Sequence, residues 1–148
     1  MTEKRKILIA SDHAGYALKL EVERVLRDRG FEVEDLGPNS ADSVDYADFA
    51  HPLADRVGSG EVEQGILMCG TGLGMSYAAN RHPGVRAAVS WAPEIAALAR
   101  QHNNANVLVL PARFVSKDEA EKIVDSWLAA KFEGGRHARR VEKIERQP

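Results

Sequence analysis

The chain has 148 residues, 44% of them hydrophobic and 28% charged, which fits one globular domain and excludes a disordered, fibrous or membrane-embedded chain. A formal net charge of −2 supplies no bulk electrostatic pull toward nucleic acid or an anionic membrane. The single cysteine excludes an internal disulfide, and without a Cys/His cluster in the sequence no structural zinc site is expected. A lone thiol suits a reducing compartment. The apolar run Ile7 to Ala10 is too short for an export signal, so a cytoplasmic location is expected.

Lys6 to Ala10 predicts a buried strand, because it is apolar nearly throughout, as strands covered on both faces are. A helix over Tyr16 to Arg29 follows: Leu18, Val22, Val25 and Leu26 fall on one stripe, and Gly30 stands where a C-terminal glycine belongs. Phe31 to Leu36 alternates, which predicts a more exposed strand, and Gly37 to Ser40 marks a loop. Tyr46 to Val57 predicts a weaker helix interrupted at Pro52. Ile66 to Cys69 is a strand that runs into the glycine loop Gly70 to Gly74, with a helix from Met75 to Arg81 beyond it. Val85 to Ser90 is a strand, Pro93 to Gln101 a helix and Asn106 to Leu110 a last strand. Ser116 to Glu119 is a capping box opening a helix that turns Ala120, Ile123, Val124, Trp127 and Leu128 inward, and Arg136 to Arg146 reads as a final basic helix. Five strands separated by helices imply right-handed crossovers. The expected fold is a single α/β domain over residues 1–148, doubly wound and Rossmann-like, with a five-stranded parallel sheet and a C-terminal helical tail.

In such sheets ligands bind beyond the strand C-terminal ends, where Ser11-Asp12-His13 and Cys69 to Gly74 both fall. The glycines of CGTGLG let backbone amides approach an anion closely. The spacing fits neither a dinucleotide fingerprint nor a Walker loop, and Met75 stands where a cysteine phosphatase needs arginine. Two readings of Cys69 remain: a buried inert thiol, or a thiolate stabilised among N–H groups and able to act as a base. Asp12 and His13 offer a carboxylate for hydroxyls and a possible cation for phosphate, or Asp12 simply caps a helix. His102 ends a helix, where it complements the dipole or moves a proton to a sugar ring oxygen. Arg136 and Arg140 share a helical face suited to phosphate, although a solvated charge run would look the same.

Taken in order, SDHAG, DYADFA, CGTGLGMSYAAN, ARQHNNANVL, IVDSWL and FEGGRHARRV cover almost the whole chain. Together they make it resemble the type B ribose-5-phosphate isomerases and the related galactose-6-phosphate isomerase subunits. That resemblance implies that Cys69 is the base between C1 and C2 and that His102 assists ring opening; the Thr71 hydroxyl is expected to help meet the developing oxyanion. It implies that Asp12, His13, Tyr46, Gly70, Gly72, Leu73, Gly74, Asn103, Arg113, Arg136 and Arg140 hold sugar or phosphate. Part of the family carries a glutamate base where this chain has Met75, so this chain resembles the cysteine type. A homodimer or a pair of dimers is implied as well, with His102 and Arg113 coming from the neighbour of the chain that supplies Cys69.

The expected activity is interconversion of ribose 5-phosphate and ribulose 5-phosphate through a cis-enediolate, with no metal and no organic cofactor. A six-carbon sugar phosphate is the alternative substrate, since one extra carbon changes little in a permissive pocket. A non-catalytic phosphate- or nucleotide-sensing module is the alternative from another class. Partners other than a sugar phosphate and a second copy, whether nucleic acid or membrane, are not expected.

Overall fold

The computed structural model describes residues 4–146. Its elements, in chain order, are β1 (Lys6–Ser11), α1 (Tyr16–Asp28), β2 (Glu32–Asp35), α2 (Tyr46–Gly58), β3 (Gln64–Cys69) and α3 (Leu73–Ala79), then β4 (Ala87–Val89), α4 (Pro93–Gln101), β5 (Val107–Pro111), α5 (Lys117–Ala129) and α6 (Arg136–Glu142). The five strands form one sheet in the order β2-β1-β3-β5-β4. Every pairing is parallel, with Ile9 opposite both Asp35 and Ile66, and Leu67 opposite Val109.

Alternation along the strands divides the core in two. Ile7, Ile9, Ile66, Met68, Leu108 and Leu110 face α1, α4 and α5, where Trp127 is fully buried. Leu8, Ala10, Leu67, Val107 and Val109 face α2 and α3. Both faces are thus covered, which is why β1, β3 and β5 read as continuous apolar runs. The capping box at Ser116 forms as expected, its hydroxyl accepting from the Glu119 N–H at 3.0 Å and the Glu119 carboxylate accepting from the Ser116 N–H at 2.9 Å.

Several bounds differ from the sequence reading, and one expected interruption is absent. Helix α2 runs straight through Pro52, which is exposed beside an exposed Asp48, so the carbonyl that the missing N–H leaves unpaired can be hydrated. Helix α3 begins at Leu73, so Gly74 lies within it, and α6 ends at Glu142 rather than Arg146. Strand β3 begins two residues early, at Gln64, because Gly65 lets α2 approach: a Cβ there would stand 2.6 Å from a Leu53 methyl. Strand β4 is shorter than expected, at three half-buried residues on the sheet edge.

Lys19 was not part of the predicted stripe, yet it is fully buried in α1. Its ammonium donates to both Asp35 carboxylate oxygens, at 2.7 and 2.9 Å, and to the Pro38 carbonyl at 2.6 Å. Three acceptors satisfy its three donors, which is what allows the charge to be buried. This pin fastens the end of β2 and the following loop to α1.

Candidate active site

Strand β1 sends the chain to β2 on one side, and β3 sends it past β5 to β4 on the other, so a crevice opens between the C-terminal ends of β1 and β3. It is a cleft of about 420 Å³ lined by Asp12, His13, Tyr46, Cys69, Gly70, Thr71, Gly74 and Arg113, with Ala14 and Tyr77 completing the wall. Eight of the expected site residues meet here.

Cys69 ends β3 with only 4% of its surface exposed, against the apolar layer under α2 and α3, yet it lines the cleft. Its surroundings are therefore apolar behind and polar in front. The Asp12 carboxylate accepts from the Gly15 N–H at 3.0 Å, so it shapes the entry to α1 while still lining the cleft. The formal N-cap of α1 is Gly15, not Asp12. His13 Nδ1 accepts from the Val44 N–H at 3.2 Å. With Nδ1 engaged by that bond, Nε2 is the ring nitrogen left to meet a ligand in the cleft. Thr71 Oγ1 accepts from the Leu73 N–H at 3.2 Å, and its own O–H remains to donate.

The glycines work in different ways. Gly72 has φ of 79°, the left-handed turn that swings the chain from β3 into α3, and it packs against Val89 and Val109. Neither Gly72 nor Leu73 lines the cleft, contrary to expectation; they turn the chain instead of touching the cavity. At Gly74 a Cβ would stand 2.5–2.8 Å from the Tyr46 ring. Gly74→Ala should displace that ring outward, toward solvent, and raise KM about tenfold, equivalent to ~1.4 kcal/mol of binding. Thermal stability should change little, since alanine favours helix α3 over glycine. An unchanged KM would show that Tyr46 makes no contact with substrate.

Arg113 corrects an expectation from the resemblance, which assigned it to the neighbouring chain. It stands beside the Cys69 of its own chain because β5 adjoins β3: the Ala112 N–H donates to the Cys69 carbonyl at 2.9 Å, and the Arg113 N–H to the Gly70 carbonyl at 3.0 Å. Its guanidinium lies over Gly70, where a Cβ would be 3.1 Å from the nearest nitrogen.

The remaining expected residues lie at the opposite, N-terminal end of the strands. Helix α4 runs back against the strands, so His102 and Asn103 follow its C-terminus toward the start of β5, where the Asn106 carbonyl accepts from Gly65 at the start of β3. Val107 to Pro111, about 13 Å of strand, separates that end from the cleft. The C-terminal segment reaches the same end: the Glu133 N–H donates to the Gln101 carbonyl at 2.9 Å, and the His137 ring stacks on His102 with centroids 4.2 Å apart. Arg136 and Arg140 flank this pair on α6. Burial and the neighbouring positive charges of His102 and Arg136 hold His137 below the ordinary imidazole range.

His137 and Glu133 were not singled out from the sequence. Their spacing of four residues was a visible signal, but the third member of the cluster, His102, is distant in the chain. Among the described residues no helix is long and apolar enough to cross a membrane.

Fold and cleft together define a doubly wound α/β protein with a thiol-bearing polar crevice at the switch point of its sheet. The chain belongs to the Ribose/Galactose Isomerase family, whose match spans residues 7–144. It is 49% identical over 140 residues to ribose-5-phosphate isomerase B of Escherichia coli K12, covering 95% of this chain and 94% of that one. It superposes on the crystal structure of a ribose 5-phosphate isomerase from Thermotoga maritima with a TM-score of 0.94 at 52% identity, over 98% of this chain and all of that one (100%). It is also similar to ribose-5-phosphate isomerase B of Mycoplasma genitalium with bound ribulose-5-phosphate, at a TM-score of 0.92 and 50% identity, over 97% and 95% of the two chains.

Proposed function

We propose that this chain interconverts ribose 5-phosphate and ribulose 5-phosphate, at a site completed by a second copy of itself. The observation that carries the reading is the cleft itself: a thiol, a glycine turn, a carboxylate and an arginine around about 420 Å³, in a chain half identical to a structure that holds ribulose-5-phosphate. His102 opens the furanose by exchanging a proton between the ring oxygen and O1. The Cys69 thiolate then takes the proton from C2 and returns it at C1, while the hydroxyl proton of the enediolate passes from O2 to O1. Negative charge growing on oxygen is met by main-chain amides of the cleft-lining part of the Gly70 to Gly74 turn and by the Thr71 hydroxyl, each donor worth about 3 kcal/mol at the transition state. Asp12 and Tyr46 position the sugar. His13, Arg113, Arg136 and Arg140 hold the phosphate, and Asn103 supports the sugar beside His102. No step is assigned to a metal or an organic cofactor.

The second copy is required by the distribution of these groups. Cys69 lies at the C-terminal end of the strands and His102 at their N-terminal end, so a single chain cannot bring both to one sugar. An interface is available in exposed apolar side chains: Leu73 and Tyr77 on α3, Trp91 after the edge strand β4, and Leu98 on α4. The domain 1–148 acts as one unit in this reading, and a cytoplasmic setting keeps the lone thiol reduced.

The test is complementation. Cys69→Ala and His102→Asn proteins should each be inactive, whereas their equimolar re-associated mixture should recover roughly one quarter of parental activity, since about half of the dimers are mixed and one of the two sites in each is intact. No recovery from verified mixed dimers would place each site within one chain. Relative kcat/KM for five- and six-carbon aldose phosphates decides between ribose and a galactose- or allose-type substrate. Tight phosphate-sugar binding without any turnover would favour the sensing module.

A further inference from the structure

The cluster at the C-terminal end of α4 has a geometry that its proposed role in ring opening does not require. One ligating atom each of His102, Glu133 and His137 lies within 4.8 Å of the others. Glu133 Oε1 is 3.6 Å from His102 Nε2 and 3.7 Å from His137 Nε2. These separations exceed the ordinary N–H···O range, so the carboxylate is not held by good hydrogen bonds to either ring. They do approach the edge of a tetrahedron around an ion with bonds of 2.0–2.2 Å, which is about 3.3–3.6 Å.

We propose that His102, Glu133 and His137 form a binding site for one borderline transition cation of the zinc class. Two imidazole nitrogens and one carboxylate oxygen are the donor set such an ion prefers, while magnesium and calcium favour oxygen alone. The backbone is already in place. The Glu133 N–H is bonded to the Gln101 carbonyl at 2.9 Å, the His102 N–H to Leu98 at 2.8 Å and the His137 N–H to Gly134 at 3.0 Å. Between Glu133 and His137 the chain turns through Gly134 and Gly135, both at positive φ, 67° and 54°, which brings the i and i+4 side chains to one side. The rings are stacked 11° from parallel, with both Nε2 atoms near Glu133. The stacked rings must tilt apart to direct both lone pairs at one ion, a movement that χ2, a broad torsion for histidine, allows. Arg136 and Arg140 next to His137 oppose a cation by charge, yet they also favour the neutral imidazole, which is the ligating form. A fourth position stays open.

Where His102 opens the sugar ring, as proposed above, an ion here occupies its lone pair and inhibits turnover. The site is therefore inhibitory, and this consequence rests on that reading; the binding itself does not.

The experiment uses the purified full chain, stripped with chelator and titrated with zinc chloride by calorimetry and by NMR of the imidazole C–H resonances. One zinc per chain is expected, with His102 and His137 resonances shifting and those of His13, His51 and His82 unmoved. Millimolar magnesium should produce no change. Glu133→Gln and His137→Gln should each weaken zinc binding roughly tenfold or more, the loss that removal of even an outer partner brings. His51→Asn, at the other histidine pair, where Nδ1 and His82 Nε2 are 2.7 Å apart, should leave affinity unchanged, as should Cys69→Ala. Absence of binding, or dependence on His51 or Cys69 in place of Glu133 and His137, overturns the proposal. Zinc should also suppress ribose 5-phosphate turnover reversibly in the parent and spare the His137→Gln protein. Binding that passes every test above without inhibition leaves the site standing and overturns the assignment of ring opening to His102.

Discussion

Cys69→Ala should lower kcat for ribose 5-phosphate by about 100- to 10,000-fold, the range that a placed general base contributes, while affinity for the sugar phosphate persists. The side chain is small and 4% exposed, so its loss removes one sulfur from the layer under α2 and α3 without opening a large cavity. What disappears is the only titratable group at the C-terminal end of β3 that faces the cleft from the strand itself. A thiol alkylator should inactivate the parent at the same residue, and saturating substrate should protect it. Undiminished turnover in the alanine protein would remove Cys69 from the chemistry and leave the buried inert thiol as its description. The residual rate is informative in the opposite direction: it measures what the glycine turn and Thr71 contribute without a base.

Lys19→Met should destabilise the fold by about 3 kcal/mol, because removing one partner of a buried pair leaves the other charge and its acceptors unsatisfied. Asp35 is the partner affected, at 2.7 Å, and at 24% side-chain exposure it can rehydrate only in part. For a domain of this size that is a fall of roughly 10 °C in the thermal midpoint. The loop after β2 should loosen first, since the same ammonium holds the Pro38 carbonyl at 2.6 Å. Hydrogen exchange in residues 35–40 is the measurement that separates this from a general loss of packing. A Lys19→Met midpoint within a degree or two of the parent would show that the ion pair is replaceable by an apolar side chain of similar length.

Lys19 also marks a limit of reading the chain as a pattern. Its four-carbon stem lies among the apolar positions of α1, but a lysine scores as polar, and what permits its burial is an aspartate 16 residues away on another element. Pro52 is the reverse case. A proline inside a helical pattern reads as a break, yet it sits where solvent can hydrate the carbonyl it frees, so α2 continues. The capping box and the bounds of α4 were legible because each depends on residues within one or two turns. Ends that depend on another element, such as Gly65 under Leu53, were not.

Hydrophobic period and turn residues were enough to specify an alternating α/β chain, a parallel sheet and a glycine turn carrying a thiol at the strand mouth, because each of these is written in neighbours a few positions apart. The order of the strands was not readable, and with it went the positions of the chemical groups relative to one another. Adjacency of β5 to β3 is what sets Arg113 beside Gly70, and the antiparallel return of α4 is what carries His102 to the far end of the strands with Glu133 and His137. Both are consequences of through-space packing between segments far apart in the chain, a property that no local window of residues contains.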